Sequence, residues 1–462
     1  MSILDELSLF IFRRDLRLHD NTALIEALKN SRRVVACFIL DPRQLKRNPF
    51  FSRSAAQFMV ECLQDLDQEL KSRGGKLYFF NGIAERVISQ LISSETIGSV
   101  YINRDYTPFS RKRDGEIVKP CLRRKIACHI LNDALLTEPE EITSGSGKPY
   151  TVFTPFFTKA NSMPVRRCIS NPYRNYYTQP IKLESRIGYH QLLHEKNEQG
   201  AVHGGRSNGL RLVNRLGSRK NYEVEKDLPA RNGTTGLSAH IKFGTVSIRE
   251  VYHAIVRKLG REHPLLRQLY WRDFYTHIAF HFPHVFGHAF RREYDRIRWV
   301  RNDEGFKAWC QGRTGFPIVD AGMRQLNTTG FMHNRVRMIV ASFLTKDLHV
   351  DWRRGEWYFA KNLVDYDPSV NNGNWQWSAS TGCDAQPWFR IFNPWRQQHR
   401  FDPDCEYVKR WVREIEHLTP SAIHDLELSR QVKGYTPILD HRVESRIAKN
   451  LYRQQNSKTR DQ

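Results

Sequence analysis

Two groups of side chains at helical spacing are the strongest sign of chemistry in this sequence. In the stretch 330–338, GFMHNRVRM, Asn334, Arg337 and Met338 stand at i, i+3 and i+4, so on a helix an amide, a guanidinium and a soft thioether share one face. Gln268, Trp271 and Arg272 repeat that spacing and set an indole beside an amide and a cation. Faces of this kind stack on a heterocycle and offer its edges hydrogen bonds. Both groups also have a plainer reading, in which Met338 and Trp271 fill a core and their polar neighbours are solvated.

Other candidate chemistries fall away on inspection. His277, His281, His284 and His288 lie close together, but Pro283 interrupts their helix and no cysteine or carboxylate joins them in sequence; capping and packing histidines are expected, and no metal site. The eight cysteines are scattered without a two-residue spacing, so reduced structural thiols are expected. Gly145-Ser146-Gly147-Lys148 is followed by Pro149 where a phosphate-binding P-loop needs Ser or Thr, which makes it a turn. No serine sits on a strand-turn-helix nucleophile elbow.

The elements that must position these residues fall into two kinds. Short apolar runs at 9–12, 34–40, 77–80, 99–102 and 128–131 alternate with amphipathic stretches, the pattern of a parallel sheet covered by helices. Met59, Cys62, Leu63, Leu66 and Leu70 mark one buried helical face that stops at Gly74-Gly75. The loop after the first strand, Arg13-Arg14-Asp15-Leu16-Arg17-Leu18, has no glycine, so a conventional nicotinamide site is disfavoured. Residues 132–205 are rich in Pro, Gly, Ser and charge and read as a linker. Beyond them helical periodicity dominates, at 246–259, 265–280, 322–326 and 335–348. The division is an α/β domain at 1–131, a linker at 132–205 and an all-helical domain at 206–462.

Charge narrows the partners. Seventy-two Lys and Arg stand against 49 Asp and Glu, a formal +23, which points to a polyanion such as nucleic acid. No apolar run approaches the roughly 18 to 20 residues of a membrane helix, and Asp5 and Glu6 stand where a signal peptide would be basic. A cytoplasmic monomer is expected.

With these motifs in hand, the chain resembles the photolyase and cryptochrome family nearly end to end, from Phe12-Arg13-Arg14-Asp15-Leu16-Arg17 through 365–377 (DYDPSVNNGNWQW) to Trp388-Phe389-Arg390-Ile391-Phe392-Asn393-Pro394. The resemblance implies a Rossmann-like α/β antenna domain and a helical domain that holds FAD folded back on itself. It assigns Tyr222 and Thr234-Thr235-Gly236-Leu237-Ser238 to the cofactor's phosphates. Arg272, Asn334, Arg337, Asp365, Asp367 and Asn371 fall around its rings and sugar, with Arg337 and Asp365 paired and Asn371 facing flavin N5. Trp271 and Trp377 would pack against a flipped-out pyrimidine dimer, with Gln268, Asn334 and Met338 beside it; a dimer stacks poorly, so extruding it costs less than extruding a sound base. Lys226, Arg335, Arg390 and Arg396 would contact DNA phosphates without reading sequence. Trp375, Trp352 and Trp299 match the family's electron relay. The activity implied is light-driven splitting of cyclobutane pyrimidine dimers in UV-damaged DNA: excited, fully reduced FAD lends an electron to the dimer and recovers it after the ring opens.

Three departures qualify the match. Gln268 stands where dimer photolyases usually carry Glu, and (6-4) enzymes carry Gln. Those enzymes rely on a His where this chain has Asn334, which favours cyclobutane dimers. Gly236 and Thr235 replace a basic residue and a Ser common in the phosphate segment. Around 103–107 (NRDYT) the acidic residue associated with a methenyltetrahydrofolate antenna is missing, so a deazaflavin, or no antenna, is at least as well supported. The alternatives to dimer repair are (6-4) repair and a blue-light-sensing cryptochrome, the latter usually with a longer C-terminal tail.

Overall fold

The computed structural model describes residues 4–45, 48–185, 196–426 and 435–457. Five parallel strands, β1 (Asp5–Phe12), β2 (Ser31–Leu40), β3 (Leu77–Asn81), β4 (Ser99–Asn103) and β5 (Ala127–Leu131), form one sheet in the order β3-β2-β1-β4-β5. In register, Leu9 pairs with Val35 on one side and Val100 on the other. The central strands read as unbroken apolar runs because both faces are covered. Phe10, Phe12, Val34 and Ala36 pack with Leu63, Leu66 and Leu70 on one side; Leu9, Ile11 and Val35 pack with Ile88, Leu91 and Ile117 on the other. All five strands expected from the apolar runs are present.

The covering helices are α1 (Thr22–Asn30), α2 (Arg53–Ser72), α3 (Ala84–Ser94) and α4 (Pro108–Arg123). The side chains of Asn21, Ser52 and Thr107 cap α1, α2 and α4. At the far end of α2, Gly74 adopts φ +73° and the Gly75 amide reaches back to the Leu70 carbonyl at 2.8 Å, so the helix stops where the glycine pair predicts.

The segment expected to link the domains carries α5 (Phe153–Ser162), a helix its composition does not reveal. Its Phe153 and Phe156 are buried in the helical core, whereas Tyr176 is buried under the sheet, with the Tyr177 amide on the Val34 carbonyl at 2.8 Å. Residues 186–195 of that segment lie outside the described residues. Gly145-Ser146-Gly147-Lys148 forms a turn closed between Thr143 and Pro149.

Seven further helices line or back the site: α6 (Ser238–Phe243), α7 (Ile248–Leu259), α8 (Leu265–His281), α9 (Pro317–Thr329), α10 (Asn334–Ser342), α11 (Trp352–Asn362) and α12 (Pro368–Ser378). After α10 the backbone continues as one wider π-helical turn, Phe343–Asp347. The sheet and the helices are joined by a buried ionic cluster. Asp133 accepts from Arg17 at 2.7 Å and Arg249 at 2.8 Å, and Asp20 accepts from Arg249 at 2.8 Å. Each charge there is paired, as burial at this depth requires.

Candidate active site

Four helix ends converge on one cavity of about 480 Å³, in the range of a cofactor pocket. Gln268, Trp271 and Arg272 enter it from α8, and Asn334, Arg337 and Met338 from α10. Asp365, Asp367, Asn371, Trp375 and Trp377 come from α12 and the turn before it; Tyr222 and Thr234 through Ser238 close one end. Both helical triads therefore reach a single space: Trp271 and Met338 are half-buried and line the cavity, and Trp271 also packs against the helical core.

Local chemistry explains why these residues hold their places. His333 caps α10, its Nδ1 accepting the Arg335 amide at 3.2 Å; burial pushes the imidazole down to about 4, which keeps it the neutral acceptor a cap needs. Asp367 caps α12 with one oxygen, accepting the Ser369 and Val370 amides at 3.1 and 3.2 Å. Its other oxygen takes the Arg14 guanidinium from the loop after β1. Burial alone would raise the Asp367 pKa, but Arg14, with help from Arg272, outweighs it and holds the carboxylate below its usual range. Gly236 sits at φ +67°, a left-handed conformation that suits glycine, which accounts for its departure from the basic residue expected there.

Arg337 donates to Asp365 Oδ2 at 2.9 Å and to the Met332 carbonyl at 2.8 Å. Asp365 Oδ1 is buried with no hydrogen-bond partner among the described residues. An orphaned buried acceptor is costly, so this cavity fits a ligand that brings N–H or O–H donors to Asp365. A flavin dinucleotide has such donors on its ring and ribose, and the hydroxyls, backbone amides and arginines on the walls match its phosphates.

Lys242, Tyr275, Phe331 and Asn374 also line the cavity, and sequence reasoning did not single them out. Spacing could have found two of them, since Lys242 follows Ser238, and Tyr275 follows Trp271, by one helical turn. Burial, reinforced by nearby Arg14, pushes the Lys242 ammonium down to about 7. A phosphate beside it would restore the charge.

The three tryptophans expected to relay electrons differ in depth. Trp375 is buried, lines the cavity and lies over the α11 backbone at Gly355, where a Cβ would come within 2.1 Å of its Cη2. Trp352 is buried at the start of α11, and Trp299 is half-buried, edge-on to Tyr452 at 6.3 Å. Trp309, not singled out from the sequence, packs on Trp375 at 6.2 Å.

Outside the cavity, Lys226 pairs with Glu223 at 2.5 Å and Arg335 with Asp227 at 2.8 Å, while Arg390 and Arg396 are exposed. The four histidines satisfy local groups: His277 on the Thr137 carbonyl, His281 on that of Pro139, His284 on that of Phe290 and His288 on Asp295.

Residues 8–170 match the family model of DNA photolyase, and residues 265–454 match the FAD binding domain of DNA photolyase. The deoxyribodipyrimidine photo-lyase of Synechococcus is 36% identical, over 96% of each chain. The chain belongs to the DNA photolyase family. Among solved structures, an archaeal photolyase from Sulfolobus tokodaii with two FAD molecules is 44% identical, covering 97% of this chain and all of that one with a TM-score of 0.88. A cryptochrome from Synechocystis superposes with a TM-score of 0.90 at 28% identity, covering 98% of this chain and all of that one. The fold is thus shared by repair enzymes and by proteins called cryptochromes, and the distinction must come from the site.

One cleft between the domains bears on a second chromophore. At the C-terminal ends of β1 and β4, where strand order switches, Arg13, Arg14 and residues 103–107 line a space of about 30 Å³. Its carboxylate Asp105 is already engaged by Arg14 and Arg113.

Proposed function

We propose that this chain repairs cyclobutane pyrimidine dimers in UV-damaged DNA in a light-dependent reaction, with FAD in the cavity bounded by α8, α10 and α12. The single observation that carries the reading is the placement of Trp271, Trp377, Asn334 and Met338 on the wall of the cavity that also holds the Arg337 and Asp365 pair. FAD, bound and reduced, supplies the photoexcited electron.

The chain's own residues do the rest. Tyr222 and Thr234 through Ser238 hold phosphates; Arg272, Asn334, Arg337, Asp365, Asp367 and Asn371 orient the rings and sugar. Trp271 and Trp377 sandwich the dimer and exclude water, while Asn334 and Gln268 present hydrogen bonds to its carbonyls. Lys226, Arg335, Arg390 and Arg396 meet the phosphates, and Trp375, Trp352 and Trp299 form the route by which oxidised cofactor is re-reduced. We assign residues 1–131, 132–205 and 206–462 to the antenna domain, linker and repair domain of a cytoplasmic monomer. The missing acidic residue around 103–107 supports a deazaflavin antenna, or none, at least as well as methenyltetrahydrofolate, and a second FAD, like that of the Sulfolobus tokodaii protein, is a further candidate.

Asn334 favours cyclobutane dimers over (6-4) photoproducts, and Gln268 is the observation on the other side. Reduced protein is to be mixed with DNA bearing each lesion under blue light, and restored pyrimidines counted. Recovery of thymine from cyclobutane dimers alone is expected; turnover of (6-4) lesions alone, or of neither, rejects this reading.

A further inference from the structure

Trp271 is held by a residue of the segment that composition reads as a linker. Phe153, the first residue of α5, lies flat on the indole with ring centroids 3.6 Å apart and planes 6° apart. Phe274 meets both rings nearly edge-on, each at 5.7 Å, and the Arg267 guanidinium covers Phe153 at 5.3 Å. Phe153 is 1% exposed, whereas Trp271 is half-buried and lines the cavity. One face of the indole is therefore occupied by the phenyl ring, and what remains is offered to the cavity.

The same residue also reaches the loop after α12. Its backbone N–H donates to Asp384 Oδ2 at 3.0 Å, and Asp384 lies in the loop that follows Trp377. A single position in the interdomain segment thus touches the Trp271 indole and the loop that follows Trp377.

We propose that Phe153 is a positioning and specificity-determining residue of the lesion site: its ring fixes the plane of Trp271, and its amide, through Asp384, fixes the loop behind Trp377, so that the gap between the two indoles is set before DNA arrives. This rests on the reading of Trp271 and Trp377 as walls of the dimer pocket. The physical reason is preorganisation. A half-buried indole without a parallel partner samples other rotamers, and a lesion entering between loose walls must order them. Undamaged DNA does not enter the pocket and is held by phosphate contacts alone, so its binding is indifferent to this stack.

The test uses full-length, FAD-loaded protein, a duplex with one thymine dimer and the same duplex undamaged. Phe153→Leu keeps an apolar side chain but removes the stack; dimer affinity falls about 10-fold while undamaged affinity is unchanged. Phe153→Tyr restores the stack and returns dimer affinity to within about twofold of wild type. The proposal is overturned if Phe153→Leu binds the dimer as wild type does, if both affinities fall together, or if the tyrosine does not rescue. Should Phe153→Leu fail to fold, Asp384→Ala decides: a dimer-selective loss supports the proposal, and a parallel loss or none rejects it. Trp271→Ala separates the two levels. If it leaves dimer affinity intact, the pocket reading itself fails; if it weakens dimer binding and Phe153→Leu does not, only the role of Phe153 fails.

Discussion

Arg14, from the loop after the first strand of the sheet, is ion-paired with Asp367, the residue that caps α12 and lines the cofactor cavity. The two are 353 residues apart in sequence, and Arg14 also approaches Asp105 at 3.5 Å. The motif 12–17 is therefore part of the cavity's support, and the cavity depends on a segment outside residues 265–454, which match the FAD binding domain.

Arg14→Ala should consequently weaken FAD retention. It leaves the buried Asp367 carboxylate without its main counter-charge, at a cost of about 1 to 3 kcal/mol once the partial exposure of Arg14 is allowed for. The flavin-to-protein absorbance ratio after gel filtration should drop, and added FAD should recover it in part. A ratio equal to wild type would mean that the pair is incidental to the cavity.

Much of this architecture was legible in the sequence because it is written in local patterns. Apolar runs gave all five strands, and the i, i+3, i+4 spacing placed Gln268, Trp271 and Arg272 and then Asn334, Arg337 and Met338 on cavity-facing surfaces. What stayed hidden depends on contacts between distant segments. Arg14 against Asp367, and Phe153 against Trp271, are pairings that no periodicity encodes. The helix α5 escaped because its run of Pro, Gly and charge on either side resembles a linker; it is stabilised by burying Phe153 and Phe156 against α8, a tertiary term.

Trp352→Phe should separate repair from cofactor reduction. Trp352 is 1% exposed and does not line the cavity, so the smaller ring costs about 1 to 3 kcal/mol of stability and leaves the pocket walls untouched. Photoreduction of oxidised FAD with an external donor should fall to under about a tenth of the wild-type rate, while repair by chemically reduced protein stays within about twofold. Equal photoreduction in the two proteins would remove Trp352 from the relay.

Asp273 offers a pH test of how α8 is anchored. Its fully buried carboxylate accepts the Leu136 and Thr137 amides at 2.7 and 3.3 Å, and burial lifts its pKa from 3.8 to about 6 despite Arg272 beside it. A raised carboxyl binds its proton more tightly in the folded state, so this group's contribution is greatest below about pH 4, declines as pH rises to about 6 and is level above that. Asp273→Asn cannot titrate. Unfolding free energies from urea titrations at pH 4.5 and pH 7 should show the variant gaining on wild type by about 2 kcal/mol at the higher pH. A gap that does not change with pH would assign the titration to another group.

Gln268 stands where the resemblance to dimer photolyases leads to the expectation of Glu, and its surroundings say what that change should do. It is exposed at the cavity mouth, one helical turn before Trp271 and beside Arg272. The amide can donate to a dimer carbonyl but has no proton to share with the negative charge that develops as the ring opens. A glutamate there is ionised in the free protein at pH 7, because the site is open to water; a bound lesion would desolvate it and raise its pKa, which makes it a proton donor only once the pocket is filled. Gln268→Glu should therefore raise the quantum yield of thymine recovery, with a larger gain near pH 6 than near pH 8, and leave FAD content unchanged. Yields that match wild type across the whole pH range, at equal lesion affinity, would place residue 268 out of reach of the damaged base.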